Sequence, residues 1–555
     1  MPPPSETWTL PWRGLGLSSN LSAGDSPHPY RLLDEDPDLF DFVEYSAPLS
    51  LRETKKHATL FPEMYRRLKQ VPVLFHPVHL NLYGPELEPA QALSDLDAHA
   101  QAVGSAWVGN DVGWWHSGGQ PFPGYLYVSP PLTNEGLQDC AAHALHVQGG
   151  LSVPLALENP AVLARRGDMH VLEFMARLQS RTGLPLLLDL GHLFSYQLTS
   201  ELPLEAGFEG FPFDRVIELH IAGGVVTRRW ARRFYVDDHT QPVREELFEL
   251  LEKVLPRCTS LRAVTFEGDG HPPEVAMVTL SRLRNLVPVE ERAPLSLSPV
   301  DVLVPPLGNV SRPWELFDLG YGVRRPVTPD DVEGSISETD FRLAVVAEQL
   351  DKDFPISRLM LAGTREGLLG FTTSLEFREL FEGSGRSVAH AFLDYARRRL
   401  REHPEEGGAA AAALSFETFV PTLMQRPVAP PKEGEVGLME DVRVGTFPAD
   451  LSELVYASRS LRQHLTGRAW ANGTVEVSGL ETLTQAARRT VSRPWRFAVR
   501  RKRSGGVEVH MAPPGLSEVL RSLAQGPVPE KEIPAALLAE ALGRGLVRRS
   551  PQGQK

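Results

Sequence analysis

Seven of the eight short apolar runs in the first 270 residues end in a side chain that can bind a metal ion. Residues 40–43 lead to Glu44, 71–75 to His76, 106–108 to Asn110 and Asp111, 154–157 to Glu158, 184–188 to Asp189, 216–219 to His220 and 261–266 to Glu267; only the first run, 14–17, lacks such an end. The polar ends follow one another at intervals of 31 to 47 residues. That leaves room for a loop, a helix and a second loop between short buried parallel strands. The pattern predicts an α/β chain whose first domain, residues 1–285, is a (β/α)8 TIM barrel. In such a barrel the carboxyl ends of all strands open onto one face, so these distant side chains share one cavity.

Convergence of so many acids has an electrostatic consequence. Asp111, Glu158, Asp189, Asp237 and Glu267 meet at one mouth, and each close pair repels by roughly 4 kcal/mol at 4 Å and an effective dielectric near 20. Either several of them bind protons or cations sit among them. The interleaved histidines favour cations, because neutral imidazole ligates metal but does little by itself to relieve carboxylate repulsion. Asp189 and His192 lie three apart where strand 6 turns into its loop, and Asp237 and His239 lie two apart after strand 7, so each pair can reach a common ion. The candidate ligands are therefore His76, Asp111, Glu158, Asp189, His192, His220, Asp237, His239 and Glu267. Such a set exceeds what one transition metal takes from a protein, and two or three ions are implied. Any single strand-end Glu or His is ordinarily a loop hydrogen-bonding residue; the joint pattern across six strands points to metal. Glu158, Asp189, His220 and Glu267, at strand ends 5 to 8, are the expected catalytic core, since rigid strand ends position ligands better than loops.

Several neighbours are weighed separately. His116, in Trp114-Trp115-His116, is an alternative to Asp111. Glu44 fits a hydrogen-bond partner to a ligand or a substrate contact. His79, a little beyond His76, would point to the opposite side in an extended strand and is left out. Cys140, His143 and His146 are three apart on a helix and mimic a ligand set, but they are expected to be ordinary helix residues away from the mouth.

The segments Gly14-Leu15-Gly16-Leu17, Phe42-Val43-Glu44, His76-Pro77-Val78, Leu157-Glu158-Asn159-Pro160, Leu188-Asp189, His220-Ile221-Ala222-Gly223-Gly224 and Asp237-Asp238-His239 with Pro242-Val243 occur in the order seen in multinuclear non-haem iron-dependent oxidative enzymes. Residues 12–285 thus resemble the family of the methanobactin-biosynthesis oxidase. The resemblance implies a xylose-isomerase-like barrel holding two or three irons, which uses dioxygen to remodel a side chain, often cysteine, of a ribosomally synthesised precursor peptide. It implies that one iron holds the substrate thiolate or amide while a neighbouring ferrous iron reduces dioxygen, and that a partner protein or domain presents the peptide. Asn159, Arg228 and Arg229, with Glu44, are the expected substrate-binding residues. Two departures stand out: Gly109-Asn110-Asp111-Val112 puts aspartate where the family has histidine, and His192 replaces an asparagine three residues after Asp189.

The same ligand set also resembles the trinuclear zinc site of endonuclease-IV-type barrels and, more loosely, the two-metal site of sugar isomerases. The alternative is then a zinc- or manganese-dependent hydrolase or isomerase, in which metal-activated water attacks a phosphodiester. With 57 Lys plus Arg against 70 Asp plus Glu, the net charge of −13 disfavours a large phosphate-binding surface, and nucleic acid is not the expected partner. Arg228, Arg229, Arg232 and Arg233 form a local basic patch that suits an acidic peptide or a solvated loop.

The rest of the chain is read as three further segments. Residues 286–333, rich in proline, read as a linker wrapping the barrel. Residues 334–413 read as a helical partner-like domain, with a helix capped by Ser337 or Thr339 and another over 387–402; residues 407–413 fit a helix or a tether. Residues 414–555 read as a winged-helix-like module: a hairpin of 496–501 and 507–511 around Ser504-Gly505-Gly506, helices near 516–524 and 532–542, and a closing strand at 545–547. Such a module binds peptide by adding a strand to a sheet edge, in-cis delivery for the barrel. The basic run from Arg488 to Arg503 would also suit DNA, and both readings stay open.

At its start the chain, Met1-Pro2-Pro3-Pro4, lacks a basic segment followed by an apolar one, and no run approaches 18 apolar residues, so a cytoplasmic protein without membrane contact is expected. Its two cysteines, Cys140 and Cys258, do not make a disulfide framework. Ligation by nitrogen and oxygen alone suits iron, manganese or zinc.

Overall fold

A computed structural model describes residues 7–21, 26–48, 64, 66–229, 232–287, 292–300, 302–324, 332–404, 407–465, 479–501, 507–511 and 513–550. The chain divides into two compact units, Met1–Thr339 and Asp340–Lys555.

In the first unit all eight apolar runs become strands: β1 Gly14–Ser19, β2 Phe42–Pro48, β3 Val73–Val78, β4 Val108–Asp111, β5 Leu155–Glu158, β6 Leu186–Asp189, β7 Val216–Ala222 and β8 Ala263–Glu267. They pair in sequence order, each parallel to the next, and β8 pairs with both β7 and β1, which closes the barrel. Helices follow the strands as the spacing requires, among them Ala90–Val103, Asn134–Gln148, Val171–Thr182 and Glu245–Val254. The last shows the local logic well: Leu247, Phe248, Leu250, Leu251 and Val254 are buried, Glu245 and Glu246 occupy the positive first turn, and Lys253 the last.

The closed end of the barrel is plugged by Phe42, Leu74, Trp107, Ala156, Leu187, Ile217 and Ala263 with Leu10 laid across them. Leu10 comes from a short strand, Trp8–Leu10, paired antiparallel with Leu295–Leu297. Residues expected as a linker thus contribute a strand beside the barrel's closed end. A second piece of that segment, the helix Arg312–Gly320, buries Pro313, Leu316 and Phe317, and sets Trp314 edge-on to Trp114 at 4.9 Å. Pro288, Pro326 and Pro329 lie outside the described residues.

The next helix, Val332–Asp353, starts earlier than a cap at Ser337 or Thr339 would allow. Both residues sit inside it, and the Thr339 hydroxyl donates back to the Ser335 carbonyl at 3.0 Å, the local alternative open to a mid-helix threonine.

The second unit begins with helices Ser357–Ala362, Arg365–Thr372, Leu375–Arg378, Val388–Glu402 and Gly407–Met424. Ser387 caps the fourth by accepting from the His390 amide. The boundary expected between 413 and 414 needs correction, because it falls within the helix Gly407–Met424. Ala413, Phe416, Val420 and Leu423 of that helix share one core with Ile356 and Leu359 on one side and Phe447, Trp495 and Phe497 on the other. Beyond it, Val442–Phe447, Trp495–Arg501 and Val507–Met511 form one antiparallel sheet; Glu435–Leu438 pairs with Val528–Pro529 and Val547–Arg549 in another. The hairpin, the helices Pro514–Gln525 and Ala535–Gly543 and the final strand follow in the order read from the sequence. Lys502, Arg503 and the Ser504-Gly505-Gly506 turn lie outside the described residues, as does Met1-Pro2-Pro3-Pro4. Among the described residues no helix is long and apolar enough to cross a membrane.

Candidate metal centre

Parallel strands end on one face, and the ends of β2 to β8 converge there. His76 Nε2 lies 2.9 Å from Glu158 Oε2, and His220 Nε2 lies 2.9 Å from Glu44 Oε2. Since a carboxylate accepts, the His220 proton sits on Nε2, and its Nδ1 faces Glu158 Oε1 at 3.5 Å and Glu267 Oε1 at 3.6 Å.

Asp189 ends β6 and at once caps the helix Leu190–Thr199, accepting from the His192 amide at 2.5 Å. That cap is the physical reason for the three-residue spacing: it folds the first helical turn back over the mouth. His192 Nδ1 donates to the Asn159 carbonyl at 2.9 Å and lies 3.6 Å from Asp111 Oδ1, while Nε2 faces Asp237 Oδ2 at 3.3 Å. Asp237 closes a hairpin, Gly224–Arg229 with Arg232–Asp237, which leaves the barrel after β7. His239 Nε2 completes the ring, 3.3 Å from Asp237 Oδ2 and 3.7 Å from Glu267 Oε2.

All nine expected ligands and Glu44 are therefore joined in one continuous network of side-chain contacts. Donor atoms within 4.8 Å of one another group as His76, Glu158 and His220; Glu44, Glu218 and His220; Asp111, Glu158 and His192; and Asp189, His220 and Glu267. Two bonds of about 2.0 to 2.2 Å to one ion, at tetrahedral or octahedral angles, put their donors about 3 to 3.5 Å apart. The His220 and His239 contacts fall at or near that spacing. Glu44 Oε1, Asp189 Oδ2, His220 Nδ1 and Asp237 Oδ1 are buried with no hydrogen bond, which suits them to act as ligand atoms for a cation. The donors are imidazoles and carboxylates without a thiolate, a set that fits iron, manganese or zinc.

The protonation pattern carries the same message. Burial pushes Glu267 up to about 8, Asp189 up to about 6 and, with the charge of Glu158, Asp111 up to about 7. Burial opposes charge on His76, but its hydrogen bond with Glu158 and the charge of Glu44 raise it to about 10. Against burial, His220 holds Glu158 well below the usual carboxylate range, and His239 does so for Asp237. Protons here balance charge that metal ions would otherwise balance.

The remaining expected residues divide. Asn159 is buried with its amide engaged, accepting from the Asp189 amide at 2.8 Å and donating to the Asp189 carbonyl at 3.0 Å; in this structure it braces β5 against β6. Arg228 and Arg229 lie at the distal end of the hairpin, in register with Arg233 and Arg232. His116 instead meets Glu88 at 2.9 Å, so it does not replace Asp111. His143 bonds the Asn81 and Gly84 carbonyls, His146 bonds that of Glu88, and Cys140 and Cys258 are buried free thiols.

Glu218 escaped the sequence reading, although it stands two residues before His220 and so on the same strand face. It is buried beneath the ligands, accepting from Trp107 Nε1 at 2.6 Å and Thr265 Oγ1 at 2.8 Å, with His220 Nε2 3.6 Å away. Trp107→Phe should keep the plug filled while leaving a Glu218 oxygen short of a donor. A loss of about 1 to 3 kcal/mol is expected in urea denaturation of the metal-free protein; an unchanged midpoint would reduce Trp107 to a space filler.

A closed barrel whose mouth gathers this donor set is the architecture of a TIM-barrel enzyme, with side-chain clusters that could hold metal. Residues 22–285 match the family of RiPP precursor modification enzymes MbnB/TglH/ChrH. A UPF0276 protein of Caulobacter vibrioides is 26% identical over 265 residues, 47% of this chain and 90% of the relative. One from Bordetella pertussis is 27% identical over 267 residues, 47% of this chain and 89% of the relative. Among solved structures, endonuclease IV of Thermus thermophilus aligns with 49% of this chain and 98% of its own (TM-score 0.32, 17% identity). A xylose isomerase-like TIM barrel protein of Mycobacterium smegmatis in complex with magnesium aligns with 50% and 96% (TM-score 0.33, 11% identity).

Proposed function

We propose that this chain is a multinuclear iron-dependent oxidase that uses dioxygen to modify a side chain, cysteine by preference, of a ribosomally synthesised peptide. The observation that carries the reading is the sharing of ligands: Glu158 and His220 each belong to more than one donor group, an arrangement suited to two or three adjacent ions and excessive for one. The match of residues 22–285 to a precursor-modification family supports a peptide substrate. Bound iron would supply one-electron chemistry with dioxygen and a seat for the substrate's sulfur or amide. The chain's own residues set the conditions: Glu44 and Glu218 orient His220, Asn159 fixes Asp189 and His192, and the apolar plug seals the barrel beneath them. In this reading Arg228 and Arg229 contact the peptide, and the sheets and helices that follow the helix Gly407–Met424 deliver it by strand addition.

The test is anaerobic purification followed by metal analysis and dioxygen uptake. Two or three irons per chain, and oxygen consumption that depends on a cysteine-containing precursor peptide, are the expected results. A colourless protein holding zinc or manganese and hydrolysing or isomerising its substrate without oxygen would replace this proposal with the alternative.

A further inference from the structure

Tyr127 lies in the irregular segment after β4, next to Val128, which bridges to Trp114. Its phenolic oxygen accepts from the Ala161 amide at 2.6 Å and lies 3.0 Å from Asp111 Oδ1. A phenol has a single proton. With the Ala161 N–H already directed at its oxygen, that proton is left to point at Asp111. Ala161 follows the Glu158-Asn159-Pro160 turn, so one hydroxyl ties the loop after β5 to the ligand at the end of β4.

The ring is held as firmly as the hydroxyl. Its centroid lies 4.5 Å from that of Trp115, and a Cβ at Gly113 would come within 2.4 Å of it, so the absence of a side chain at Gly113 makes room for the ring. Ring and oxygen together leave the phenol one orientation.

We infer that Tyr127 is a positioning residue for the metal site at Asp111: its hydroxyl, fixed by the Ala161 amide, holds the carboxylate through Oδ1 and so sets the orientation in which Asp111 would ligate an ion. The inference rests on the metal reading of the site and goes beyond it in assigning a residue outside the ligand set. A carboxylate held at one oxygen has already lost the freedom it would otherwise lose on binding, so removing the hydroxyl weakens this ion's hold while the others keep theirs.

The experiment loads the full chain with ferrous iron under anaerobic conditions and follows iron per chain during timed dialysis against a chelator. Tyr127→Phe keeps the ring and deletes the hydroxyl. It should release one ion about 10-fold faster than wild type while the remaining iron is retained at the wild-type rate. Asp111→Asn should release the same ion, and the double variant should be no faster than Asp111→Asn alone, since both changes remove one coupled interaction. Identical release by Tyr127→Phe and wild type overturns the inference, as does a lowered melting temperature with unchanged release, the mark of a purely structural tyrosine. Wild-type chain that holds no iron, zinc or manganese overturns the metal reading itself, a result distinct from either.

Discussion

His220→Ala is expected to abolish turnover, lower the bound metal and leave the barrel folded. His220 takes part in three of the four donor groups, with His76 and Glu158, with Glu44 and Glu218, and with Asp189 and Glu267. Its removal takes a nitrogen from the middle of the site and leaves the five carboxylates of these groups without it. Loss of a partner that merely orients a ligand costs about 10- to 100-fold in metal affinity or activity, so loss of a shared ligand should exceed about 100-fold in peptide-dependent oxygen uptake. The fold survives because His220 points inward from β7 while Leu219 and Ile221 stay buried on the other face and the strand keeps its pairing with β6 and β8. Acids left without a cation in the variant can take up protons instead. Elemental analysis, circular dichroism and oxygen uptake on one preparation decide the matter: a variant with full metal and activity would remove His220 from the site. Glu267→Gln should lose activity for the same reason, with a milder loss of metal because an amide oxygen still reaches the ion.

The sequence exposed this much of the site because barrel geometry turns a linear rule into a spatial one. Once each apolar run is a parallel strand, its terminal polar residue must lie at the mouth, and no further information is needed to bring Glu44, His76, Glu158, Asp189, His220 and Glu267 together. Asp237 and His239 lie beyond a strand end, and only their proximity in the chain marked them as a pair. What stayed hidden depends on packing rather than order. Glu218 reads as one more residue of a strand until Trp107 and Thr265 are seen to satisfy it. Tyr127 comes from a loop with no periodicity, and its role depends on the small size of Gly113. Asn159 is expected as a substrate contact; that its amide spans two strand ends is visible only in the fold. The helical boundaries failed for a related reason: a serine or threonine suited to a cap is tolerated within a helix when its hydroxyl can return to the preceding turn, as that of Thr339 does.

Stability in the absence of metal should fall as pH rises from about 6 to about 10, and the stabilisation gained from metal should grow over the same range. Asp189 near 6, Asp111 near 7 and Glu267 near 8 all titrate above ordinary carboxylates, so the folded metal-free chain holds protons that the unfolded chain has released. His76 near 10 has the same sign: its contribution is complete below the ordinary histidine value of about 6.5 and is lost as pH climbs through 10. A folded state that binds more protons than the unfolded one loses stability with increasing pH. Glu158 and Asp237 titrate in the opposite sense, but they are ionised in both states throughout this window and add no slope. Metal binding requires these carboxylates ionised and the imidazoles neutral, so each ion displaces protons and binds more tightly as they become easier to remove. Melting curves of metal-free and iron-loaded protein, taken anaerobically at several values between pH 6 and 9, should therefore diverge. A gap that stays constant would mean that the protons and the ions do not compete for the same atoms, and the strand-end acids and histidines would lose their role as ligands.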